Sequence, residues 1–180
     1  MTSFEEIREV LDSGTKEEKI AVLEHLSKTD NPDTVRMIIS KLDDEDIQVR
    51  GEAFSSLLLN QNDIDKILIS SLKSQSKNVR GYASLVLANR NAKDATKDII
   101  ELANDQSAMV RSCAIGALGY LRASDGVPAI ARCLDDPNQE VRKSAIKSAI
   151  DIADASLLRR ISRHSGDDPE TIRLIGMVKV

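Results

Sequence analysis

The chain has 180 residues, of which 41% are hydrophobic and only 2% aromatic, and its charged residues give a formal net charge of -4. This is an ordinary globular composition, and its mild acidity argues against a general nucleic-acid binder, which carries a basic surface. No apolar run reaches the ~18 residues of a membrane span. The N-terminal segment is charged from Glu5 onward, so we expect a cytoplasmic protein without a secretory signal or membrane contact.

The first 42 residues hold irregular versions of the pattern that follows them. Residues 1–13 predict one N-terminal cap helix, centred on the segment from Phe4 to Leu11. Residues 15–42 fit a pair of helices, in which Glu18 and Lys19 stand where later repeats have Val and Arg. Atypical end units of this kind are expected in a finite stack of repeats.

From residue 45 onward, four segments share one frame: Val and Arg, then Ala three residues after the Arg. The arginines are 30, 31 and 31 residues apart. The frame consists of Val49, Arg50 and Ala53; Val79, Arg80 and Ala83; Val110, Arg111 and Ala114; and Val141, Arg142 and Ala145. A fixed period of this length indicates a repeat architecture.

Each repeat is predicted to contain two helices. In the first helix the frame Val and Ala recur with helical spacing, and the second helix ends in an anchoring leucine, at Leu42, Leu72, Leu102 and Leu134. Helix-start signals lie at Asn31-Pro32, Asn62-Asp63, Pro128 and Asp136-Pro137. We therefore predict a single domain with repeats at 15–42, 45–74, 76–104, 106–135 and 137–164, and a C-terminal cap at 167–180.

The pattern of an Asp, then Val-Arg and Ala, at a spacing near 31 resembles HEAT-like repeats of the short type found in phycobilisome lyase subunits. Motif aspartates are Asp46, Asp105 and Asp136, whereas Ser76 and Lys77 replace the Asp in the second strong repeat. The resemblance implies an all-α, right-handed α-solenoid of about five stacked two-helix repeats. In such proteins the second helices line a concave face that binds a protein or peptide.

The resemblance also implies which residues face that surface, namely those six and two places before each anchoring leucine. They are Arg36, Ser40, Lys66, Ser70, Thr96, Ile100, Pro128 and Arg132, with Arg159 in the last repeat. Arg132, Arg159, Arg160, Arg163 and His164 are expected to form a basic patch that docks an acidic or phosphorylated segment. The alternative is a solvated capping helix whose long side chains cover the last core.

The frame arginines predict contacts within the stack. Because their period equals that of the fold, we expect each to pair with an Asp or with helix-end carbonyls of a neighbouring repeat. An anion-binding row is the alternative interpretation.

The sequence shows no pattern typical of catalysis. His25 and His164 lie at opposite ends of the chain, and Cys113 and Cys133 lie beside predicted core positions. We predict no catalytic residue, cofactor or metal, and a monomer or weak oligomer. The preferred function is a non-catalytic protein-interaction scaffold; the alternatives are an accessory subunit of an enzyme complex resembling bilin lyases, and nucleic-acid binding.

Overall fold

Buried Val and Ala recur at helical spacing in the part of the chain that the structure describes. The computed structural model describes residues 3–161 and 169–176, and every regular element in these ranges is a helix. The chain is divided into two compact units, residues 1–86 and 87–180. None of the helices in the described ranges is long and apolar enough to cross a bilayer.

The first unit contains α1 to α5 and most of α6. Their bounds are α1 (Phe4–Ser13), α2 (Lys16–Leu26), α3 (Pro32–Ser40), α4 (Ile47–Leu59), α5 (Asp65–Ser71) and α6 (Lys77–Asn89). In this unit α2 packs against α4, and α3 contacts both α4 and α5. The core therefore lies between successive helix pairs.

The second unit repeats this arrangement. Its helices are α7 (Thr96–Leu102), α8 (Ala108–Tyr120), α9 (Val127–Cys133), α10 (Gln139–Ile152), α11 (Ala155–Ile161) and α12 (Pro169–Gly176). Here α8 packs against α10, and α9 contacts both α10 and α11. The helices of both units fall inside the predicted repeat and cap ranges. That these repeats form a single domain remains a prediction.

The first helices of neighbouring repeats approach closely because their contact positions are small. The frame Val and Ala residues are all buried, with at most 6% of any of them exposed. A Cβ added at Gly119 of α8 would lie 2.6 Å from the Ser148 Cβ of α10. At this contact the buried Ser148 hydroxyl donates to the Ile115 carbonyl at 2.8 Å. In the first unit the buried Ser56 hydroxyl makes the same link to the Leu23 carbonyl at 2.7 Å.

Helix starts agree only in part with the sequence signals. Asn31 caps α3 through its side chain, as predicted, and Pro128 lies in the first turn of α9. The signal at Asn62 is wrong, because α5 begins after Ile64 and the Asn62 amide donates to the Lys28 and Thr29 carbonyls instead. The signal at Asp136 is also displaced, because Asn138 caps α10.

Candidate functional site

Each frame arginine closes the loop that leads into its own helix. Arg50 Nη1 donates to the carbonyl oxygens of Asp44 at 2.7 Å and Glu45 at 3.1 Å, six and five residues earlier. Nη1 of each other frame arginine makes the same pair of hydrogen bonds to backbone carbonyls: Arg80 to Ser74 and Gln75, Arg111 to Asp105 and Gln106, and Arg142 to Asp136 and Pro137. These carbonyls lie in the loop before the arginine's own helix, whereas the sequence predicted an Asp or helix-end carbonyls of a neighbouring repeat, and the contact occupies one nitrogen of every frame arginine.

A second contact links one repeat to the next within each unit. Arg111 donates two hydrogen bonds to the Asp136 carboxylate, from Nε to Oδ2 at 2.8 Å and from Nη2 to Oδ1 at 2.9 Å. These bonds hold the pKa of Asp136 below its ordinary value. In the first unit Lys19, which stands at the arginine position, binds Asp44 Oδ2 at 2.9 Å. The predicted charge ladder is thus present at both places.

The ladder also shows which residue of the acidic run Asp43 to Asp46 takes part. Burial pushes the pKa of Asp44 upward, yet hydrogen bonds from the Asp46 N–H and from Lys19 keep it below its ordinary value. Asp46, expected at the motif position, instead caps α4 through the Gln48 and Val49 N–H groups. Asp44, and not the motif residue Asp46, therefore makes the ladder contact.

In the first unit the second helices carry the predicted binding positions on their exposed faces. Arg36 on α3 is exposed and pairs with Asp33 at 2.7 Å. Lys66 on α5 is also exposed. The hydroxyls of Ser40 and Ser70 each donate at 2.7 Å to the carbonyl three residues earlier in their own helix. Arg36 and Lys66 are therefore the side chains of this set that extend furthest from the helices toward a partner.

In the second unit the predicted positions on α7 are less exposed than the residues that follow them. Thr96 and Ile100 are half-buried, whereas Lys97 and Glu101 are exposed. The cause is the choice of Leu102 as anchor, because buried Ala103 lies 31 residues after Leu72 and 31 before Leu134. An anchor placed eight residues before each frame arginine would have identified Lys97.

The remaining cations of the second unit lie on α9 and α11. Arg132 is exposed and donates to Asn104 Oδ1 at 3.3 Å and to the Pro128 carbonyl at 3.4 Å. Arg159 is exposed, and Arg160 pairs with Asp135. We name Lys97, Arg132 and Arg159 the second-helix strip. The predicted Arg163 and His164 lie outside the described residues.

A polar cleft of about 530 Å³ adjoins this strip, which sequence reasoning did not predict. The loops that precede α7 and α9 form it together with the first turn of α7, so its residues come together only in the folded chain. Lys97 belongs to both features. The other charged lining residues are Lys93, Asp94, Arg122 and Asp125.

The two cysteines lie in packed surroundings. Burial raises the pKa of the Cys113 thiol to about 11, and burial also raises that of Cys133. A thiol with a raised pKa is a poor nucleophile, because the thiolate is the reactive form. Within the described ranges no cluster of His, Cys, Asp and Glu has the arrangement of a metal site.

Known proteins share this architecture. Residues 65–150 and 110–175 match the family model described as HEAT repeats. No curated protein sequence matches the chain. A chain in the structure of the complex of CpcE and CpcF of phycocyanin lyase from Nostoc sp. PCC7120 is similar in structure, with a TM-score of 0.61 and 19% identity, covering 97% of this chain and 75% of that chain.

Designed proteins are similar as well. A designed armadillo repeat protein in complex with peptide (KR)4 has a TM-score of 0.57 and 16% identity, covering 96% of each chain. Another designed armadillo repeat protein has a TM-score of 0.52 and 16% identity, covering 98% of each chain. These likenesses give the fold as an all-α α-solenoid. With the family match, they show that the chain belongs to the HEAT repeats.

Proposed function

We propose that the protein is a protein-binding module and that its second-helix strip holds an acidic segment of a partner. The observation that supports this proposal is the recurrence of exposed cations on α7, α9 and α11, six or two residues before a buried residue at the end of each second helix: Lys97 lies six residues before Ala103, Arg132 two before Leu134 and Arg159 two before Ile161. Glu101 is the one carboxylate at these positions in the described part of the unit. A row of like charges on packed helices favours an extended partner of opposite charge.

The packing of the unit suits such a role. Repeats that pack on one another present a surface already formed before binding, so little conformational entropy is lost when a segment docks. A designed armadillo repeat protein of similar fold has been solved with the basic peptide (KR)4, so the fold can hold a peptide of repeated charge. Because the second-helix strip of this chain is cationic, we expect it to bind an acidic peptide instead.

We further propose that the protein acts by binding, without catalysis of its own. Nucleophilic catalysis requires an activated group beside a positioned base. Both described cysteines instead have a raised pKa, which suits packing.

The test uses a fluorescein-labelled octapeptide of alternating Glu and Asp, with (KR)4 as the charge-reversed probe. Fluorescence anisotropy should show the acidic peptide binding the whole chain, more weakly as salt rises. Exchanging Lys97, Arg132 and Arg159 together for Glu should weaken binding about tenfold or more.

The matched control changes the same number of charges elsewhere. Exposed Lys28, Lys77 and Lys147 lie off the strip, and their joint exchange for Glu should leave affinity within about twofold. If both triple variants lost the same affinity for the acidic peptide, net charge alone would explain the loss, and the strip would not be the binding site. Tighter binding of a single-stranded DNA oligonucleotide, with a steep salt dependence, would favour nucleic acid instead.

A second candidate function is that of a subunit in an enzyme complex resembling phycocyanin lyase. The observation in its favour is the structural similarity, over 97% of this chain, to a chain of the CpcE and CpcF complex. It predicts a stable complex with a second chain, and a bilin whose absorbance changes when that complex is added. A bilin spectrum that the protein leaves unchanged, alone and with co-purifying chains, would exclude it.

A further inference from the structure

One position recurs in the loop before each of the four regular repeats, six residues before the frame arginine. It is occupied by Asp44, Ser74, Asp105 and Asp136. In each case the side-chain oxygen accepts a hydrogen bond from the backbone N–H two residues later, at 3.0, 3.2, 2.8 and 2.8 Å respectively. The local turn is therefore the same with Ser74 as with the three aspartates.

The exchange of Asp for Ser changes the arginine that precedes it. Arg111 uses Nε and Nη2 to hold the carboxylate of the next boundary, at Asp136. The equivalent arginine for Ser74 is Arg50, which donates hydrogen bonds only through Nη1 to the residues that the structure describes. The Nε–Nη2 edge of Arg50, which suits a carboxylate bound through both oxygens, has no partner within those residues.

Arg50 also lines an apolar cleft of about 250 Å³ between α4 and α6. The cleft is formed by Ile47, Gly51 and Phe54 of α4, and by Tyr82 and Leu85 of α6. Ile47 is 72% exposed, although it is a large apolar residue. Gly51 has open space where a Cβ would lie, so that side of the cleft is not filled by the chain. An apolar cleft with a cationic group at its edge suits a ligand that carries both an apolar and an anionic group.

We propose that this cleft binds a partner segment in which a carboxylate adjoins a large apolar side chain. The apolar side chain would occupy the space between Ile47, Phe54 and Tyr82, and the carboxylate would bind the Nε–Nη2 edge of Arg50. Charge complementarity selects this occupant, because the equivalent edge of Arg111 holds a carboxylate of the chain itself. This surface is separate from the second-helix strip and goes beyond the function proposed for it.

Three of the acidic residues near Arg50 are already engaged. Asp44 binds Lys19, Asp46 caps α4, and Asp43 accepts a hydrogen bond from Asn78 at 2.8 Å. They reduce the attraction for an incoming carboxylate but do not occupy the free edge of Arg50. A lone carboxylate should therefore bind poorly, and the apolar neighbour is needed for measurable affinity.

The probe is the hexapeptide Ser-Gly-Glu-Phe-Gly-Ser with blocked ends, beside a matched peptide with Gln for Glu. Binding is followed on the whole chain by NMR, through the Arg50 Nε–H resonance and backbone amides of α4 and α6. We expect saturable shifts with the Glu peptide and about fivefold weaker binding of the Gln peptide. Equal affinity of the two peptides would overturn the proposal.

A variant at Ser74 tests the free edge without removing the arginine. Ser74→Asp restores the residue found at the other boundaries, so it should pair with Arg50 internally and reduce affinity for the Glu peptide to that for the Gln peptide. Ser74→Asn is the matched uncharged control and should bind like the wild type. Unchanged binding by Ser74→Asp, with the Arg50 Nε–H resonance shifted by the new pair, would contradict the proposal.

The two proposed binding surfaces can be tested independently of each other. The triple charge reversal at Lys97, Arg132 and Arg159 should leave binding of the hexapeptide unchanged. The Ser74→Asp variant should in turn bind the acidic octapeptide like the wild type.

Discussion

Arg111 and Asp136 hold each other through two hydrogen bonds of 2.8 and 2.9 Å across 25 residues of sequence. Their side chains are only 16% and 8% exposed, so solvent screens the pair less than a pair on an open surface. Asp136→Asn leaves the guanidinium with a neutral acceptor and should lower the free energy of unfolding by about 1–2 kcal/mol at neutral pH. Urea denaturation measures the change.

The control for this pair is Asp135→Asn, because the partner Arg160 and Asp135 are both substantially exposed. Its effect should stay below about 0.5 kcal/mol. Equal effects of the two variants would contradict the ladder as a stabilising contact.

The same pair predicts a pH dependence. Because the folded pKa of Asp136 is below its ordinary 3.8, the pair contributes its full stability above that value and loses it as pH falls through the folded pKa. The stability difference between wild type and Asp136→Asn should therefore be constant from neutral pH down to about 4.5 and shrink below it. A difference that already disappears near pH 6 would contradict the lowered pKa.

Gly119→Ala should be strongly destabilising. The added Cβ would lie 2.7 Å from the Ser148 Cα, so α10 itself must move. We expect a loss of about 2–3 kcal/mol in thermal or urea unfolding.

Gly116→Ala in the same helix provides the control, since nothing lies within 4 Å of its Cβ position. It should stabilise the protein by up to about 1 kcal/mol, because alanine loses less backbone entropy in a helix. Similar effects at both glycines would show that close helix approach is not the cause.

Asn138 stabilises the start of α10 by accepting hydrogen bonds from the Glu140 and Val141 N–H groups. Asn138→Ala should cost about 1 kcal/mol in urea unfolding, because those groups lose their acceptor. Ser107 holds the equivalent place before α8 but makes no side-chain cap bond, so Ser107→Ala should change stability little. Equal losses would show that the cap bond contributes nothing.

The cysteines should react slowly in the folded chain. With a pKa of about 11, only about one Cys113 thiol in a thousand is ionised at pH 8. Labelling with a disulfide reagent, read at each site by mass spectrometry, should accelerate strongly in urea. Native labelling as fast as that of the unfolded chain would contradict burial of the thiol.

The periodic frame made the helices predictable, because buried Val and Ala must recur on one face of each first helix. The face of α7 was harder, because Leu102 and Ala103 are adjacent and both buried, and leucine resembles an anchor more than alanine does. The ladder residue within the run Asp43 to Asp46 could not be chosen from sequence either. Four adjacent carboxylates have the same chemistry, and the backbone turn decides that Asp44 reaches Lys19.

The clefts were beyond sequence reasoning for a different reason. Arg122 and Lys93 come from separate loops, and Phe54 and Tyr82 from separate helices, so their proximity exists only in the packed chain. The free edge of Arg50 did leave a signal. Ser74 interrupts a series of aspartates, and a fixed register from the arginines identifies that interruption.

The hydrogen bonds from the frame arginines to loop carbonyls join residues only five or six positions apart, and the ladder pairs join residues 25 apart. Such a chain has low contact order, and proteins with local contacts fold quickly. Each loop can close as soon as its own arginine is available. Folding should therefore begin within one repeat and spread to its neighbours, without waiting for distant segments to meet.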